Sequence, residues 1–258
     1  VYRSDDGGEH WYLTSGEEGQ IFVQALAVSP DAGRIYAGAR SGLYLSEDGG
    51  ATWQRLDDVR GISVFTIVVD PHDAERVYAG TWGHNILHTS DGAGTWAPMH
   101  GGLETLSVYA LAVDPENPRL LYAGTVEAVY RTTDRGESRQ ASPLVERPLT
   151  TFALTVDPLD PATLYAGTTD GLYHCDDGGR TWSTAGTEAL RATITAMALV
   201  PDREPTLYAG TEHKGIYRSL NGGERWHAWG LEDASVNAIL VDRAGTLWAA
   251  TDRGIFRR

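Results

Sequence analysis

Cysteine is almost absent from this sequence. Cys175 is the one cysteine among 258 residues, so no intramolecular disulfide can form and no CxxC pair offers a structural metal site. We interpret Cys175 as a small, semi-buried side chain, because free cysteines are often buried. His84 and His88, four residues apart in "HNILH", have no third candidate ligand nearby in the sequence. We therefore expect no metal and no other cofactor.

Long apolar runs and an excess of basic charge are absent as well. No run approaches the roughly 18 to 20 residues that span a bilayer, and no basic start followed by an apolar core marks a signal peptide. Asp and Glu number 35 against 21 Lys and Arg, for a formal net charge of −14, which disfavours nucleic acid and anionic lipid. We expect no nucleic-acid partner and no membrane span.

Sustained amphipathic helices are also lacking, and the sequence contains a repeat instead. The motif "SEDGGATW" (Ser46 to Trp53) recurs, with its last position every 42 to 44 residues. A second marker with the same period is an aromatic followed by Ala-Gly or Ala-Ala. It falls at Tyr36, Tyr78, Tyr122, Tyr165, Tyr208 and Trp248. Six periods of about 43 residues account for the whole chain.

Each repeat is predicted to form four short strands. The first is an apolar run such as Val108–Val113, followed by Asp-Pro, too short for a helix and typical of a buried strand. The second carries Tyr-Ala-Gly, the third reads "GLYLS" or "GIYRS", and the fourth begins at the Trp of the motif. Four strands in about 43 residues, repeated six times, predict an all-β, six-bladed β-propeller of four-stranded antiparallel blades.

The predicted propeller is a single domain over residues 1–258. Complete blades are expected at about 22–56, 63–99, 107–142, 150–185 and 193–229. The last repeat supplies three strands and "GGEHWYLT" near the N-terminus supplies a fourth, so we expect one closing blade from residues 1–14 and 235–258. Residues 1–4 and 254–258 both match the third strand. Either one copy is displaced or added to the blade, or the chain is part of a longer propeller; we favour the closed six-bladed ring.

The recurring motif has the residues of a tight turn. A hydroxyl and an Asp carboxylate accept hydrogen bonds from turn N–H groups, Gly supplies positive φ, and the Trp packs on the neighbouring hairpin. The six copies are Ser4, Asp6 and Trp11; Ser46, Asp48 and Trp53; Thr89, Asp91 and Trp96; Thr132, Asp134 and Arg139; Cys175, Asp177 and Trp182; and Ser219, Asn221 and Trp226. We interpret all of them as structural.

These copies resemble the Asp-box or BNR repeat, S-x-D-x-G-x-T-W, over the whole chain. In repeat length and consensus the chain is similar to bacterial BNR and YVTN-like repeat proteins and to photosystem assembly-factor propellers. The resemblance implies that the boxes are structural turns on the face opposite the functional one. It also favours a location outside the cytoplasm, although no residue determines the compartment.

The predicted functional face carries the loops between second and third strands. The candidates for binding in these loops are Arg40, Trp82, His84, Asn85, Glu127 and Lys214. A variable position inside the first strands adds Gln24, Phe65, Tyr109, Phe152, Thr195 and Asn237. Trp82 is interpreted either as ordinary packing against the neighbouring loop or as a stacking platform for a sugar or an anchor for a protein. The variable position indicates either an unevenly filled channel or a one-sided binding surface.

The same resemblance bears on catalysis. Sialidases usually carry an Arg-Ile-Pro segment, which this sequence lacks, and xyloglucanase-type enzymes place their acidic pair between two propellers, whereas one is predicted here. Six-bladed lectins repeat one pocket, whereas these loops differ. We therefore expect no catalytic residues and a non-catalytic scaffold or binding module for another protein or an assembly. The alternatives are a carbohydrate-binding, lectin-like propeller and, less favoured, a sialidase-like glycoside hydrolase.

Overall fold

The repeats fold into successive antiparallel sheets arranged around a central channel. The computed structural model describes residues 1–14, 21–99, 106–186 and 190–258. The protein is all-β, with six blades forming a propeller and almost no helix, which confirms the predicted fold class. Within the described ranges, no helix is long and apolar enough to cross a membrane.

The strands follow the predicted order from the channel outward. Strands β1 (Tyr2–Arg3) and β2 (Tyr12–Leu13) precede the blades. Blade 1 consists of β3 (Val23–Val28), β4 (Ile35–Ala39), β5 (Gly42–Ser46) and β6 (Gln54–Leu56), followed by a 3₁₀ turn at Asp57–Val59. Blade 2 consists of β7 (Val64–Asp70), β8 (Asp73–Thr81), β9 (Ile86–Thr89) and β10 (Ala97–Pro98). Blade 3 consists of β11 (Val108–Val113), β12 (Leu121–Thr125), β13 (Val129–Thr132) and β14 (Gln140–Ser142).

The remaining blades continue the same series. Blade 4 consists of β15 (Thr151–Val156), β16 (Leu164–Thr168), β17 (Gly171–Cys175) and β18 (Ser183–Ala185). Blade 5 consists of β19 (Ile194–Val200), β20 (Thr206–Thr211), β21 (Ile216–Ser219) and β22 (His227–Gly230). Blade 6 consists of β23 (Val236–Val241), β24 (Leu247–Thr251) and β25 (Gly254–Arg257).

The second strands form the most buried layer. Their tyrosines Tyr36, Tyr78, Tyr122 and Tyr165 are almost completely buried, each ring lying between two blades. The Tyr165 hydroxyl donates to the carbonyl of Gly222, in the box of the next blade, at 2.9 Å. Burial raises the pKa of the Tyr165 hydroxyl to about 12. The repeated Tyr-Ala-Gly segment is therefore the element that joins consecutive blades.

The two ends of the chain do not merge into one sheet, which corrects the expectation of a shared closing blade. Among the described residues, β1 and β2 pair only with each other, and β23–β25 form a separate three-stranded sheet. Each copy of the third strand keeps its own neighbour: Tyr2 faces Leu13, whereas Phe256 faces Ala249. The two copies therefore lie in different sheets.

Candidate functional site

The loops between second and third strands lie on the same face as the starts of the first strands. The Trp82 N–H donates to the Ser63 carbonyl at 2.9 Å, and the Glu212 N–H donates to the Thr193 carbonyl at 2.9 Å. A threonine closes most of these loops by donating its hydroxyl to a carbonyl across the loop. These threonines are Thr81, Thr125, Thr168, Thr211 and Thr251. We call this surface the loop face.

The variable position of the first strands coincides with a β-bulge in all six blades. In blade 2, for example, the pairing register shifts between Val64 and Thr66, so Phe65 has no partner in β8. The same shift occurs in the other five blades. A bulge interrupts the ladder and re-aims a side chain. The bulge therefore gives this residue a common orientation in every blade, a feature that the sequence pattern did not predict.

Four aromatic side chains from blades 2, 3 and 4 lie in a continuous row, which we call the aromatic ladder. The Phe65 ring stacks on Trp82 with centroids 5.9 Å apart, and on Tyr109 with centroids 4.8 Å apart. Tyr109 in turn meets Phe152 edge to face at 5.4 Å. Trp82 is 63% exposed, whereas the other three rings are half-buried. The ladder thus begins at a solvent-facing indole in blade 2 and continues through blades 3 and 4.

The loop around Trp82 holds the indole in place through the backbone. The Gly83 N–H donates to the Ser107 hydroxyl of the next blade at 3.2 Å, and His84 Nδ1–H donates to the Trp82 carbonyl at 2.8 Å. Asn85 has a positive φ of 67° and is buried. Its amide donates to the Met99 carbonyl at 2.8 Å. Asn85 therefore supports the loop from inside. A binding residue would have to face solvent, and the buried side chain of Asn85 does not.

The remaining variable positions form a polar counterpart to the aromatic ladder. Gln24 and Asn237 are exposed on blades 1 and 6. The Thr195 hydroxyl donates to the carbonyl of Val236, and also to that of Gly210 at 3.2 Å. The rim of the channel is therefore aromatic over three consecutive blades and polar over the other three.

The charged loop candidates are separate from the ladder and from each other. Arg40 lies over the Phe22 ring at 5.5 Å, and the Lys214 ammonium donates to the Arg191 carbonyl at 3.3 Å. Glu127 is exposed, with its backbone N–H donating to the Thr125 hydroxyl at 3.1 Å. No contact brings Arg40, Lys214 and Glu127 together among the described residues, so the aromatic ladder is the one group of candidates that the fold assembles.

The box motifs form the hydrogen-bonded turns expected from their residues. In blade 1 the Ser46 hydroxyl donates to Asp48 at 2.8 Å and accepts the Gly50 N–H at 2.8 Å. Asp48 also accepts the N–H of Thr52 at 2.9 Å and its hydroxyl at 2.6 Å. These donors favour the carboxylate, so the Thr52 hydroxyl and then its N–H lower the pKa of Asp48 to about 2.

Variant boxes keep the same turn with different atoms. The Cys175 thiol donates to Asp177 and accepts the Gly179 N–H at 3.0 Å, and burial raises the pKa of this thiol. Asn221 accepts the Ser219 hydroxyl at 2.9 Å. Arg139, at the Trp position of blade 3, donates to Asn85 Oδ1 at 3.1 Å. This link between the box of one blade and a loop of another joins residues 54 positions apart, so the repeat pattern does not predict it.

Comparisons with known proteins agree on the fold and leave the function open. The family model that matches is the two-component regulator propeller, over residues 230–253. No curated protein matches the chain. Among solved structures, an ancestral GH74 enzyme is similar at 19% identity with a TM-score of 0.78, covering 92% of this chain and 36% of that one.

Two further solved structures are similar in fold at comparably low sequence identity. A GH74 xyloglucanase from Xanthomonas campestris is 20% identical, with a TM-score of 0.68, and covers 88% of this chain and 42% of that one. The extracellular domain of a putative one-component system from B. thetaiotaomicron is 17% identical, with a TM-score of 0.77, and covers 94% of this chain and 33% of that one. This chain thus spans between a third and about two fifths of the length of these proteins. At such identities the likeness establishes the propeller fold alone.

Proposed function

We propose that this protein is a non-catalytic binding module and that the aromatic ladder is its contact surface for a protein partner. The observation that carries the proposal is the stacking of Phe65, Tyr109 and Phe152 behind the exposed Trp82. Exposed aromatics supply large contact areas at low conformational-entropy cost and concentrate binding energy. The aromatic ladder combines a large contact area with low flexibility, because Phe65, itself stacked on Tyr109, packs against the exposed Trp82 ring.

The loop geometry supports a preorganised surface. Two backbone N–H groups, of Trp82 and Gly83, are held by neighbouring segments, so the indole needs little reordering when a partner binds. Rigid contact residues reduce the entropic cost of association. A partner would bury Trp82 and leave the three inner rings as support.

The carboxyl groups whose pKa is lowered by hydrogen bonds lie away from the proposed contact surface. These groups are Asp5, Asp6, Asp31, Asp48, Asp91, Asp134, Asp177 and Asp242. All lie in turns at the end of the blades opposite the loop face, where their carboxylates accept turn N–H groups or side-chain donors.

The turn geometry also supports classing the repeats as Asp boxes. The hydroxyl-to-Asp hydrogen bond recurs in blades 1, 2 and 3, where the same hydroxyl accepts the N–H of Gly50, Ala93 and Gly136, and a thiol replaces the hydroxyl in blade 4. We therefore assign the boxes a structural role and the opposite loop face the binding role. The similarity to an extracellular domain of a putative one-component system supports a binding role for this propeller as well.

Site-specific photocrosslinking tests the proposal. A benzophenone side chain at position 82 is expected to crosslink one partner in native extract, and Tyr109→Ala is expected to reduce that yield at least about tenfold. The matched control is position 159, because Leu159 is as exposed as Trp82, at 66% against 63%, but lies in the β15–β16 turn near the boxes. Equal crosslinking from positions 82 and 159 would contradict the proposed surface.

A glycan is the second candidate ligand, favoured by the exposure of the Trp82 indole. Trp82 is 63% exposed and stacks on Phe65 at an inclination of 29°, so a sugar ring could stack on the indole face turned away from Phe65. Titration with xyloglucan oligosaccharides, followed by tryptophan fluorescence, tests this alternative. Binding that Trp82→Ala abolishes and Leu159→Ala preserves would favour the glycan, and release of shorter products would overturn the non-catalytic assignment.

A further inference from the structure

Five neighbouring pairs of blades pack closely, and the sixth pair does not. First strands pack in series from β3 through β7, β11, β15 and β19 to β23. Within the described ranges, no comparable packing joins β23 back to β3. A cavity of about 770 Å³ lies between them. We call this gap the seam; Phe22 and Leu26 line it from blade 1, and Leu240, Trp248 and Ala250 line it from blade 6.

Both walls of the seam are apolar and exposed. Leu26 is 57% exposed, whereas Leu111, at the same position of β11, is 6% exposed. On the opposite wall Leu240 is 63% exposed, whereas its counterpart Ala112 is 8% exposed. Phe22 is exposed beside Leu26. Contiguous apolar surface of this kind marks an interaction site, and here two such walls face each other.

The β1–β2 hairpin occupies the outer part of the seam in the manner of an outer half-blade. The Trp53 indole N–H donates to the Thr14 hydroxyl beside β2 at 3.1 Å. In the same way, the Trp182 indole N–H donates to the Ser142 hydroxyl at the end of β14, in the preceding blade, at 3.0 Å. The hairpin therefore stands toward blade 1 as the outer strands of blade 3 stand toward blade 4.

The other side of the hairpin repeats a second inter-blade contact. A Cβ on Gly8 would lie 2.8 Å from the Trp248 ring, just as one on Gly179 would lie 2.7 Å from Tyr122 of the preceding blade. The hairpin thus follows blade 6 and precedes blade 1. In the order of blades, β1 and β2 thus correspond to the third and fourth strands of a seventh blade. The cavity lies where the first and second strands of that blade would be.

We propose that the seam is the docking site for a polypeptide that presents a two-stranded segment of this chain's own repeat type. Its outer strand would pair with the free edge of β1 by backbone hydrogen bonds, and its inner strand would lie between β23 and β3, a case of strand addition to an open sheet edge. Both faces of the docking segment must be apolar, because one face would cover Leu26 and the other would cover Leu240.

The residue at position 250 restricts which segment fits. Five second strands carry Gly where an added Cβ would lie 2.6 to 2.8 Å from a side chain of the first strand of the next blade; these are Gly38, Gly80, Gly124, Gly167 and Gly210. Blade 6 carries Ala250 at this place. The incoming strand must therefore have a small first residue where this chain has Val64, Val108, Thr151, Ile194 and Val236.

A peptide taken from the chain itself tests the proposal. The probe is residues 151–168, TFALTVDPLDPATLYAGT, with Thr151→Ala to suit Ala250. The readout is thiol labelling of the full chain carrying Leu26→Cys, since the native Cys175 is buried. We expect the probe to bind one to one, to raise Tm and to slow labelling about tenfold or more.

Variants distinguish the seam from nonspecific binding. Leu240→Glu should abolish binding, whereas Leu159→Glu, an exposed leucine away from the seam, should not. The unmodified peptide with Thr151 should bind more weakly, and Ala250→Gly should restore its affinity.

A second arrangement keeps the test decisive if the free peptide does not form a hairpin. The same 18 residues are joined ahead of Val1 through a short Gly-Ser linker, with labelling of Leu26→Cys and Tm as readouts. Unchanged labelling in both the mixed and the joined forms would overturn the proposal. So would a dimer of the unmodified chain that Leu26→Glu dissociates, because a second copy would then cover the seam.

Discussion

The interface between blades 3 and 4 and the seam between blades 6 and 1 are built from the same strand pattern but are packed differently. In the former, Ala112, Tyr122 and Leu164 form one buried cluster. In the latter, Leu240 and Leu26 face a cavity. Burial of an apolar residue depends on the strand opposite it. Equivalent positions of similar repeats can therefore be buried in one interface and exposed in another.

The largest expected difference concerns one leucine position in two blades. Leu111→Ala removes a buried side chain and should lower the free energy of unfolding by about 2 to 5 kcal/mol. Leu26→Ala removes an exposed one and should change it by less than about 1 kcal/mol. Urea unfolding with matched m-values measures both. Equal losses of unfolding free energy in the two variants would mean that the seam is packed in solution. A larger loss from Leu26→Ala when the 151–168 probe peptide is present would support docking.

A glycine exchange should give a smaller difference. Gly210→Ala places a Cβ 2.6 Å from Val236 Cγ1 and should destabilise the protein by about 1 to 3 kcal/mol through overpacking. Ala250→Gly, at the equivalent place beside the seam, should cost no more than about 1 kcal/mol, the usual effect of Gly in a strand. Thermal unfolding of the two variants measures both destabilisations. A smaller destabilisation by Gly210→Ala than by Ala250→Gly would contradict the tight contact between blades 5 and 6.

The smallest expected effect concerns the hairpin beside the seam. Hydrogen bonds, chiefly from the His10 N–H, lower the pKa of Asp6 to about 2, and those from Thr52 do the same for Asp48. A lowered folded-state pKa means that each turn contributes stability above the ordinary value near 3.8, and that this contribution is lost as the pH falls toward 2. NMR titration of the two carboxyl carbons should give similar low midpoints. An ordinary midpoint for Asp6 alone would show that the hairpin is not held as a blade element.

Much of the fold could be predicted because its cause is local and repeated. The box residues form hydrogen bonds within their own turn, as between Asp48 and Thr52, so their chemistry can be derived from a few consecutive residues. The alternating strands and the common period placed Phe65, Tyr109 and Phe152 at one level of neighbouring blades. Their ring contacts follow from that alignment.

Other features depended on distant residues and escaped prediction. Asn85 belongs to a polar loop, yet the positive φ of its backbone and its bonds to Met99 and Arg139 place it inside the protein. The pairing of the terminal strands was also mispredicted, since two segments with the same pattern each found an adjacent partner. The substitution of Gly by Ala250 is a sign in the sequence that the contact after blade 6 differs.

The sequence by itself determined the all-β repeat, the number of blades and the chemistry of the turns, because each depends on hydrogen bonds and side-chain alternation within about 43 residues. Only the tertiary structure decided which apolar residues are buried, which aromatics touch and where the ring of blades is interrupted. Burial and ring contacts are properties of pairs of blades, and a strand cannot encode by itself whether another strand lies against it.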